Sequence, residues 1–285
     1  MVTQKAPSLV RLSFLGSEED DPAVTWKNCV QKLYEWKNGL SAKYSPEILK
    51  KYNGEMAARL VWETNLHEDT IPRGLSQSET EHLLTKTYNE EKVLSLDASD
   101  HGLSQMIQHL QAFKLFNSHI EDELTEDMIK KAHRIMMAGL SNEQGIPVNN
   151  GEYRQSHVFA GVHQYPSHEC IQHNMTRIVR EYSEKVSAPD HDPYELASWL
   201  YFEVVTLHPF DDGNGRISRL LWCYSLMKDG MPFPVMLTSG HKKSQKHLVK
   251  CINRDENYFF TKWPHLTTLT VISVDLAWKH FSSSV

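Results

Sequence analysis

The chain has 285 residues, with 30 Lys and Arg against 36 Asp and Glu, which leaves a formal net charge of −6. This acidic balance argues against a general nucleic-acid binder, because affinity for phosphate backbones comes from clustered positive charge. The 4 cysteines show no CxxC spacing, so they predict neither a disulfide framework nor a thiolate metal site. No apolar run reaches the roughly 18 residues that span a bilayer. We therefore expect no membrane partner and an intracellular protein, cytoplasmic or nuclear.

The sequence predicts a flexible arm over residues 1–24, because this stretch combines Gly16 with the acidic run at 17–21. From about Thr25 the apolar spacing is mostly helical. Ser45 followed by Pro46 predicts the start of one helix, with the serine as its N-cap.

Two further helix starts have clear signals. Ser78 with Glu81 three residues later is the capping-box pattern, and Thr125 precedes another periodic apolar segment. The pattern changes over residues 145–166, where Asn-Gly and several β-forming residues predict a short β-hairpin or flap among the helices.

A dense group of functional residue types occupies residues 208–219, which read HPFDDGNGRISR. The helix before this string is predicted to begin with Asp192 as its N-cap and Pro193 at its first position, and the helix after it stops near Gly230. The string is therefore a tight turn that ends at a helix N-terminus. Unpaired N–H groups and the helix dipole favour an anion at such a place.

The residue types in the turn fit a polyphosphate ligand. Gly213 and Gly215 let the backbone approach a ligand closely, since neither carries a side chain. Arg216 and Arg219 are three residues apart and can both point from one face of the first turn towards phosphate oxygens. A simple turn with surface charges is the alternative, but it needs neither the histidine nor the paired arginines.

A cation and a base complete this interpretation. The carboxylate of Asp211 or Asp212 would repel a phosphate unless Mg²⁺ lay between that carboxylate and the phosphate. The ion would be bound by one carboxylate, phosphate oxygens and water. His208 is largely neutral at physiological pH and can accept a proton from an attacking hydroxyl. The P-loop pattern GxxxxGK[ST] is absent, and GNGRIS lacks the third glycine of a dinucleotide fingerprint.

The string resembles the Fic-domain signature HxFx(D/E)GNGRxxR at every defined position. Residues 124–137, 151–166 and 246–257 also resemble the helix before the flap, the flap itself and the segment after the motif. The resemblance covers about residues 55 to 260. It implies an all-α fold, a Fic-type helical bundle with a short β-hairpin flap. It divides the chain into N-terminal helices at 25–95, a catalytic core at 96–260 and a C-terminal helix or tail at 261–285.

The resemblance also implies an activity, the transfer of AMP from ATP to a Ser, Thr or Tyr hydroxyl of a target protein with release of pyrophosphate. His208 would be the catalytic base and Asp212 would hold Mg²⁺. The other residues that it implies for nucleotide binding or for the loop are Phe210, Gly213, Asn214, Gly215, Arg216, Arg219 and Asn253. Among these, Phe210 would anchor the loop in the core, Asn253 would line the adenine pocket, and Arg219 would reach the terminal phosphate.

Many Fic proteins carry an inhibitory helix with the pattern (S/T)xxxE(G/N), whose glutamate pairs with the second arginine of the motif. We assign this role to Glu63, although Arg59 stands at the Ser/Thr position and Thr64 at the Gly/Asn position. Autoinhibited relatives with this glutamate can also remove AMP, so the resemblance implies de-AMPylation as a second direction.

Two other functions stay open at this stage. One is a Fic-type transferase of another group, UMP or phosphocholine, and the other is a nucleotide-sensing interaction protein without catalysis. The resemblance is compatible with a homodimer, and the net charge favours no nucleic-acid partner.

Overall fold

The structure is a computed structural model that describes residues 6–15, 21–90, 101–141, 147–160, 163–238, 244–257 and 263–285. Within these ranges most of the chain is helical. The helices are α1 (Pro22–Lys37), α2 (Pro46–His67), α3 (Gln77–Asn89), α4 (His101–Ser118), α5 (Glu126–Met136), α6 (Ile171–Val186), α7 (Pro193–Leu207), α8 (Asn214–Lys228), α9 (Ser244–Glu256) and α10 (Pro264–Ser284). The strands β1 (Phe159–Ala160) and β2 (His163–Gln164) pair antiparallel. This confirms the predicted all-α bundle with a short hairpin.

The helix starts follow the predicted caps with one correction. Ser45 accepts a hydrogen bond from the backbone N–H of Ile48 at 3.3 Å, and Pro46 occupies the first position of α2, as expected. The capping box of α3, however, consists of Ser76 and Glu79, not of Ser78 and Glu81. The same Ser-x-x-Glu spacing occurs two residues earlier, and α3 begins there.

Part of the N-terminal segment packs against the helices, although the sequence predicts a flexible arm over residues 1–24. Leu12 is fully buried, and the N–H of Val10 donates to Oγ1 of Thr268 at 3.0 Å. The first long helix begins at Pro22 rather than near Thr25. The structure therefore places part of the predicted arm against α10, while residues 1–5 and 16–20 lie outside the described residues.

The helices α7 and α8 form the centre of the fold and carry the 208–219 turn between them. Almost every residue of α8 is buried, including Ile217, Leu221 and Trp222. A helix that is buried around its whole circumference is enclosed by other elements, and its polar side chains need partners inside the fold. Because both flanking helices are fixed in the core, the turn that joins them has a defined position.

Two sets of neighbours surround this pair. α10 packs against α1, α7 and α9, while α2 packs against α3 and α4. The C-terminal end of α2 reaches α8, where Glu68 contacts Arg219. In the described part of the chain no helix combines the length and the hydropathy that crossing a bilayer requires.

Candidate functional site

His208 lies immediately after α7, in a backbone conformation that is uncommon for a side-chain-bearing residue. Its φ angle is +53°, in the left-handed region, and its N–H donates to the carbonyl of Val204 at 3.0 Å. Non-glycine residues in this region need support from their surroundings. This bend directs the chain out of α7 and into the turn.

The imidazole of His208 is held from two sides. The ring of Tyr165 stacks on it with centroids 3.8 Å apart. Nδ1 lies 3.3 Å from the carbonyl oxygen of Val205, and because a carbonyl only accepts, the proton belongs on Nδ1. Burial lowers the pKa of His208 to about 4. The ring is therefore neutral at physiological pH, and its Nε2 lone pair is available to accept a proton.

The turn is closed by its own asparagine. Oδ1 of Asn214 accepts from the N–H of Phe210 at 2.9 Å, and its Nδ2 donates to the carbonyl of Phe210 at 2.8 Å. Phe210 is fully buried. The side chain of Asn214 thus shapes the loop, which leaves its backbone N–H as the group that can face a ligand.

Below the turn, His133 connects it to the segment before the hairpin. Its ring stacks on Phe210 at 3.8 Å, its Nδ1 accepts from the N–H of Gly151 at 2.9 Å, and its Nε2 donates to the carbonyl of Asp212 at 2.9 Å. The N–H of Gly151 can only donate, which fixes this tautomer. His133 is therefore a packing and positioning residue.

The N-terminus of α8 presents backbone and side-chain donors of the kind that suit an anion. The first helical hydrogen bond there runs from Ile217 N to Gly213 O at 3.0 Å, so the N–H groups of residues 214–216 precede the ladder. Arg216 donates to Oε1 of Gln105 at 3.0 Å. Arg219 is 7% exposed. The two guanidinium groups therefore lie beside free backbone donors.

A carboxylate of the chain itself lies beside these donors. Oε1 of Glu68, the residue that caps the C-terminus of α2, lies 2.5 Å from Nη1 of Arg219. A Cβ atom placed at Gly215 would come within 2.5 Å of the same oxygen. The absence of a side chain at Gly215 thus makes room for an oxyanion against the first turn of α8.

The structure corrects the assignment of Glu63. This residue lines a cavity of about 860 Å³ with Arg59 and His280, away from the 208–219 turn. Burial raises the pKa of its carboxyl group. The partner of Arg219 is Glu68, which directly follows the last residue of α2. Glu63 lies more than one helical turn earlier on the same helix.

The sequence also contains the inhibitory-helix pattern around Glu68, five residues after Glu63. Thr64, Glu68 and Asp69 fit the pattern (S/T)xxxE(G/N), with Asp at the last position instead of Gly or Asn. Asp69 has a φ of +55°, the left-handed conformation that Gly and Asn adopt most readily and that Asp also tolerates. The backbone conformation, more than the residue type, is the constraint at this position.

Asp212, to which the sequence analysis assigns Mg²⁺, lies partly open to solvent beside the N-terminus of α8. Its side chain is 52% exposed, its Oδ1 accepts from the N–H of Gly213 at 2.5 Å, and its Oδ2 lies 3.7 Å from Arg216. No group of three or more His, Cys, Asp or Glu side chains in the described ranges is arranged to hold a metal. One carboxylate beside an anion site fits Mg²⁺, which keeps several waters and shares phosphate oxygens.

Asn253 is exposed on α9, and its carbonyl accepts from Asn257 at 2.6 Å. One turn later, Glu256 lies 4.0 Å from Nε2 of His163 in the hairpin. Asn253 therefore lies on the helix that faces the hairpin, and its role towards adenine stays a prediction.

The buried histidines predict a loss of stability in acid. His109, behind the two arginines, is fully buried, and burial lowers its pKa to about 3. An unfolded chain binds a proton on imidazole below about pH 6.5, so it takes up more protons than the native state. We expect the free energy of unfolding to fall as the pH drops from about 6.5 to 4, by up to about 1.4 kcal/mol per pH unit for each such histidine.

Urea denaturation at several pH values measures this dependence. The slope of the unfolding free energy against pH should be shallower in His109→Gln than in the wild type. Equal slopes would show that His109 is not held neutral in the native state.

The chain is similar to a family model and to several known proteins. A family model described as Fic/DOC family matches residues 123–226. A Fido domain-containing protein of Dictyostelium discoideum is 37% identical over 105 residues, which cover 37% of this chain and 73% of that protein. The protein adenylyltransferase Fic of Drosophila persimilis is 31% identical over 147 residues, covering 51% of this chain and only 28% of that relative. A Fic domain-containing signaling protein of Bacteroides thetaiotaomicron has a similar fold, with a TM-score of 0.65, 23% identity, and coverage of 88% of this chain and 92% of that one.

Proposed function

Because this chain belongs to the Fic/DOC family, we propose that it transfers AMP from ATP to a hydroxyl side chain of a target protein. The Drosophila relatives that match over half of this chain are named protein adenylyltransferases, which supports the choice of AMP as the group that is moved.

One observation carries the proposal. The carboxylate of Glu68 lies against Gly215 and pairs with Arg219 at the N-terminus of α8. An oxyanion therefore fits this place, and a terminal phosphate would meet the same arginine and the same helix dipole. The neutral imidazole of His208 lies on the same turn.

In the proposed reaction, one side chain of this protein accepts a proton. His208 accepts the proton of the target hydroxyl at Nε2, since its Nδ1 is engaged with Val205. The hydroxyl oxygen bonds to the α-phosphorus, and the bond from that phosphorus to the bridging oxygen of the β-phosphate breaks. Pyrophosphate is the leaving group.

The remaining residues position the phosphates and balance their charge. The N–H groups of residues 214–216 and the guanidinium groups of Arg216 and Arg219 would bind the phosphate oxygens. Asp212 would hold Mg²⁺, which when bound neutralises charge that develops on the leaving pyrophosphate.

We also propose that Glu68 inhibits transfer. It competes with the terminal phosphate for Arg219, so ATP binds in the productive arrangement only when this pair opens. The Glu68 side chain is 32% exposed in the pair. A carboxylate that water can reach in this site favours a second activity, the hydrolytic removal of AMP from a modified target.

Labelled nucleotides test the proposed transfer. We expect Glu68→Ala protein with Mg²⁺ to label itself and proteins of a cell extract from ATP that carries the label on the α-phosphate. ATP labelled on the γ-phosphate should give no protein labelling, because pyrophosphate leaves.

Other donors distinguish the alternatives. Labelling from the γ-phosphate of ATP would identify a kinase and overturn the proposal. Stronger labelling from UTP or from a CDP-choline donor would assign a different transferred group. Binding of ATP without any protein labelling would favour a nucleotide-sensing interaction protein.

A further inference from the structure

Arg154 is a fully buried arginine with an unusual set of partners. In the part of the chain that the structure describes, its guanidinium makes no ion pair within 4.0 Å, and its side-chain hydrogen bonds all end on backbone carbonyl oxygens. A buried charge without a carboxylate is costly unless its donors are satisfied. These carbonyls are therefore the groups that hold the side chain in place.

The first group of carbonyls belongs to the bend that carries the catalytic base. Nε of Arg154 donates to His208 O at 2.7 Å, and Nη2 approaches Leu207 O at 3.4 Å. The backbone N–H of Arg154 donates to Pro209 O at 3.0 Å. Three consecutive carbonyls around the left-handed residue thus accept from one arginine.

The second group belongs to the two stems of the hairpin. Nη1 of Arg154 donates to Ser156 O at 2.6 Å, and Nη2 donates to Pro166 O at 2.6 Å. These residues bracket β1 and β2. Next to Pro166 is Tyr165, which stacks on the ring of His208.

The strands of the hairpin are exposed, and an exposed strand edge can pair with an extended target segment through main-chain hydrogen bonds. We infer that Arg154 is a positioning residue that sets the distance between the His208 base and this edge. This inference rests on the proposed transfer to a protein hydroxyl. A planar guanidinium with its donors in a fixed fork can tie the bend and both stems together, whereas an ammonium group cannot span them.

The phosphate-binding part of the turn is held by other contacts. The Asn214 and Phe210 bonds and the His133 bond to Asp212 O do not involve Arg154. A change at Arg154 should therefore disturb the approach of the hydroxyl and leave ATP binding intact.

Transfer kinetics in the Glu68→Ala background test the inference. Arg154→Lys should lower kcat roughly 100-fold, the loss expected from a misplacement of about 1 Å, with the Kd for ATP changed less than about 2-fold. Arg154→Gly should show a similar loss that ethylguanidinium partly restores and NaCl at equal ionic strength does not. The matched control is Arg134→Gly, because Arg134 is half-exposed and, within the described ranges, its ion pair is with Glu152 alone.

Amide hydrogen exchange gives a readout that needs no activity. The N–H of Tyr165 donates to Val158 O at 3.2 Å at the base of the hairpin, and it should exchange at least about 10-fold faster in Arg154→Lys. The N–H of Ile217, in the phosphate-binding turn, should be unchanged.

The outcomes separate the two proposals. If the Glu68→Ala parent transfers no AMP, the proposed function fails, and the exchange of Tyr165 still decides whether Arg154 holds the hairpin. If the parent is active and Arg154→Lys keeps its kcat, or loses ATP affinity in proportion, the positioning role is wrong.

Discussion

Replacing Glu68 with alanine is expected to raise ATP affinity and the rate of AMP transfer by roughly 5- to 150-fold, which corresponds to a typical coupling free energy of about 1–3 kcal/mol. The reason is that the Glu68 carboxylate and a terminal phosphate cannot share the space above Gly215, where that carboxylate already contacts Arg219. Removing the carboxylate frees the arginine. Calorimetric titration with ATP and the labelling rate measure the two effects separately.

The matched control is Glu63→Ala. Both residues are acidic, and Glu63 lies on the same helix, so the two substitutions change the net charge equally. Glu63 contacts neither Arg219 nor the 208–219 turn, and its removal should leave ATP affinity and transfer within about 2-fold of the wild type. Equal activation by the two substitutions would contradict competition at Arg219 and would point instead to a general effect of charge.

The second large effect concerns the base. His208→Ala should lower the transfer rate by roughly 10²- to 10⁴-fold, the usual contribution of a positioned general base. ATP binding should persist, because the N–H groups of residues 214–216 and both arginines stay in place. The rate is measured in the Glu68→Ala background, so that inhibition does not mask the loss.

A control and a titration accompany this variant. His119→Ala changes a histidine whose side chain is 42% exposed and which contacts Asp122, so it should transfer AMP normally. In nucleotide-free protein the His208 ring should titrate near pH 4 by NMR, because burial in this site disfavours the imidazolium form. A full rate in His208→Ala would show that another group accepts the proton.

The sequence predicted the fold and the functional turn through signals that are local. Asp192 and Pro193 begin α7 as expected, and the glycines and arginines of the turn lie at the start of α8. These predictions succeed because caps and glycine turns are determined within a few residues. Their roles in catalysis stay predictions that the variants above test.

The contacts that the sequence did not predict join distant segments. Arg154 reaches His208 across 54 positions, and Arg219 reaches Glu68 across 151. Neither pairing has a periodicity that a single sequence can display. Glu63 was chosen although Thr64 stands at the Gly/Asn position, whereas the residue after Glu68, Asp69, adopts the left-handed backbone that Gly and Asn favour.

The place of Glu68 at the end of α2 has a consequence for the speed of the proposed inhibition. Glu68 follows the last residue of the helix, and the turn after it is closed by a hydrogen bond from Thr70 N to Asn65 O at 3.0 Å. The body of α2, with Met56 and Val61 buried, does not have to move when the carboxylate leaves Arg219. Release therefore requires only rotation of a side chain and fraying of a helix end, motions of nanoseconds to microseconds. Under the proposed inhibition, a switch of this kind would stay in equilibrium throughout each turnover, and ATP would compete with the Glu68–Arg219 pair in every cycle.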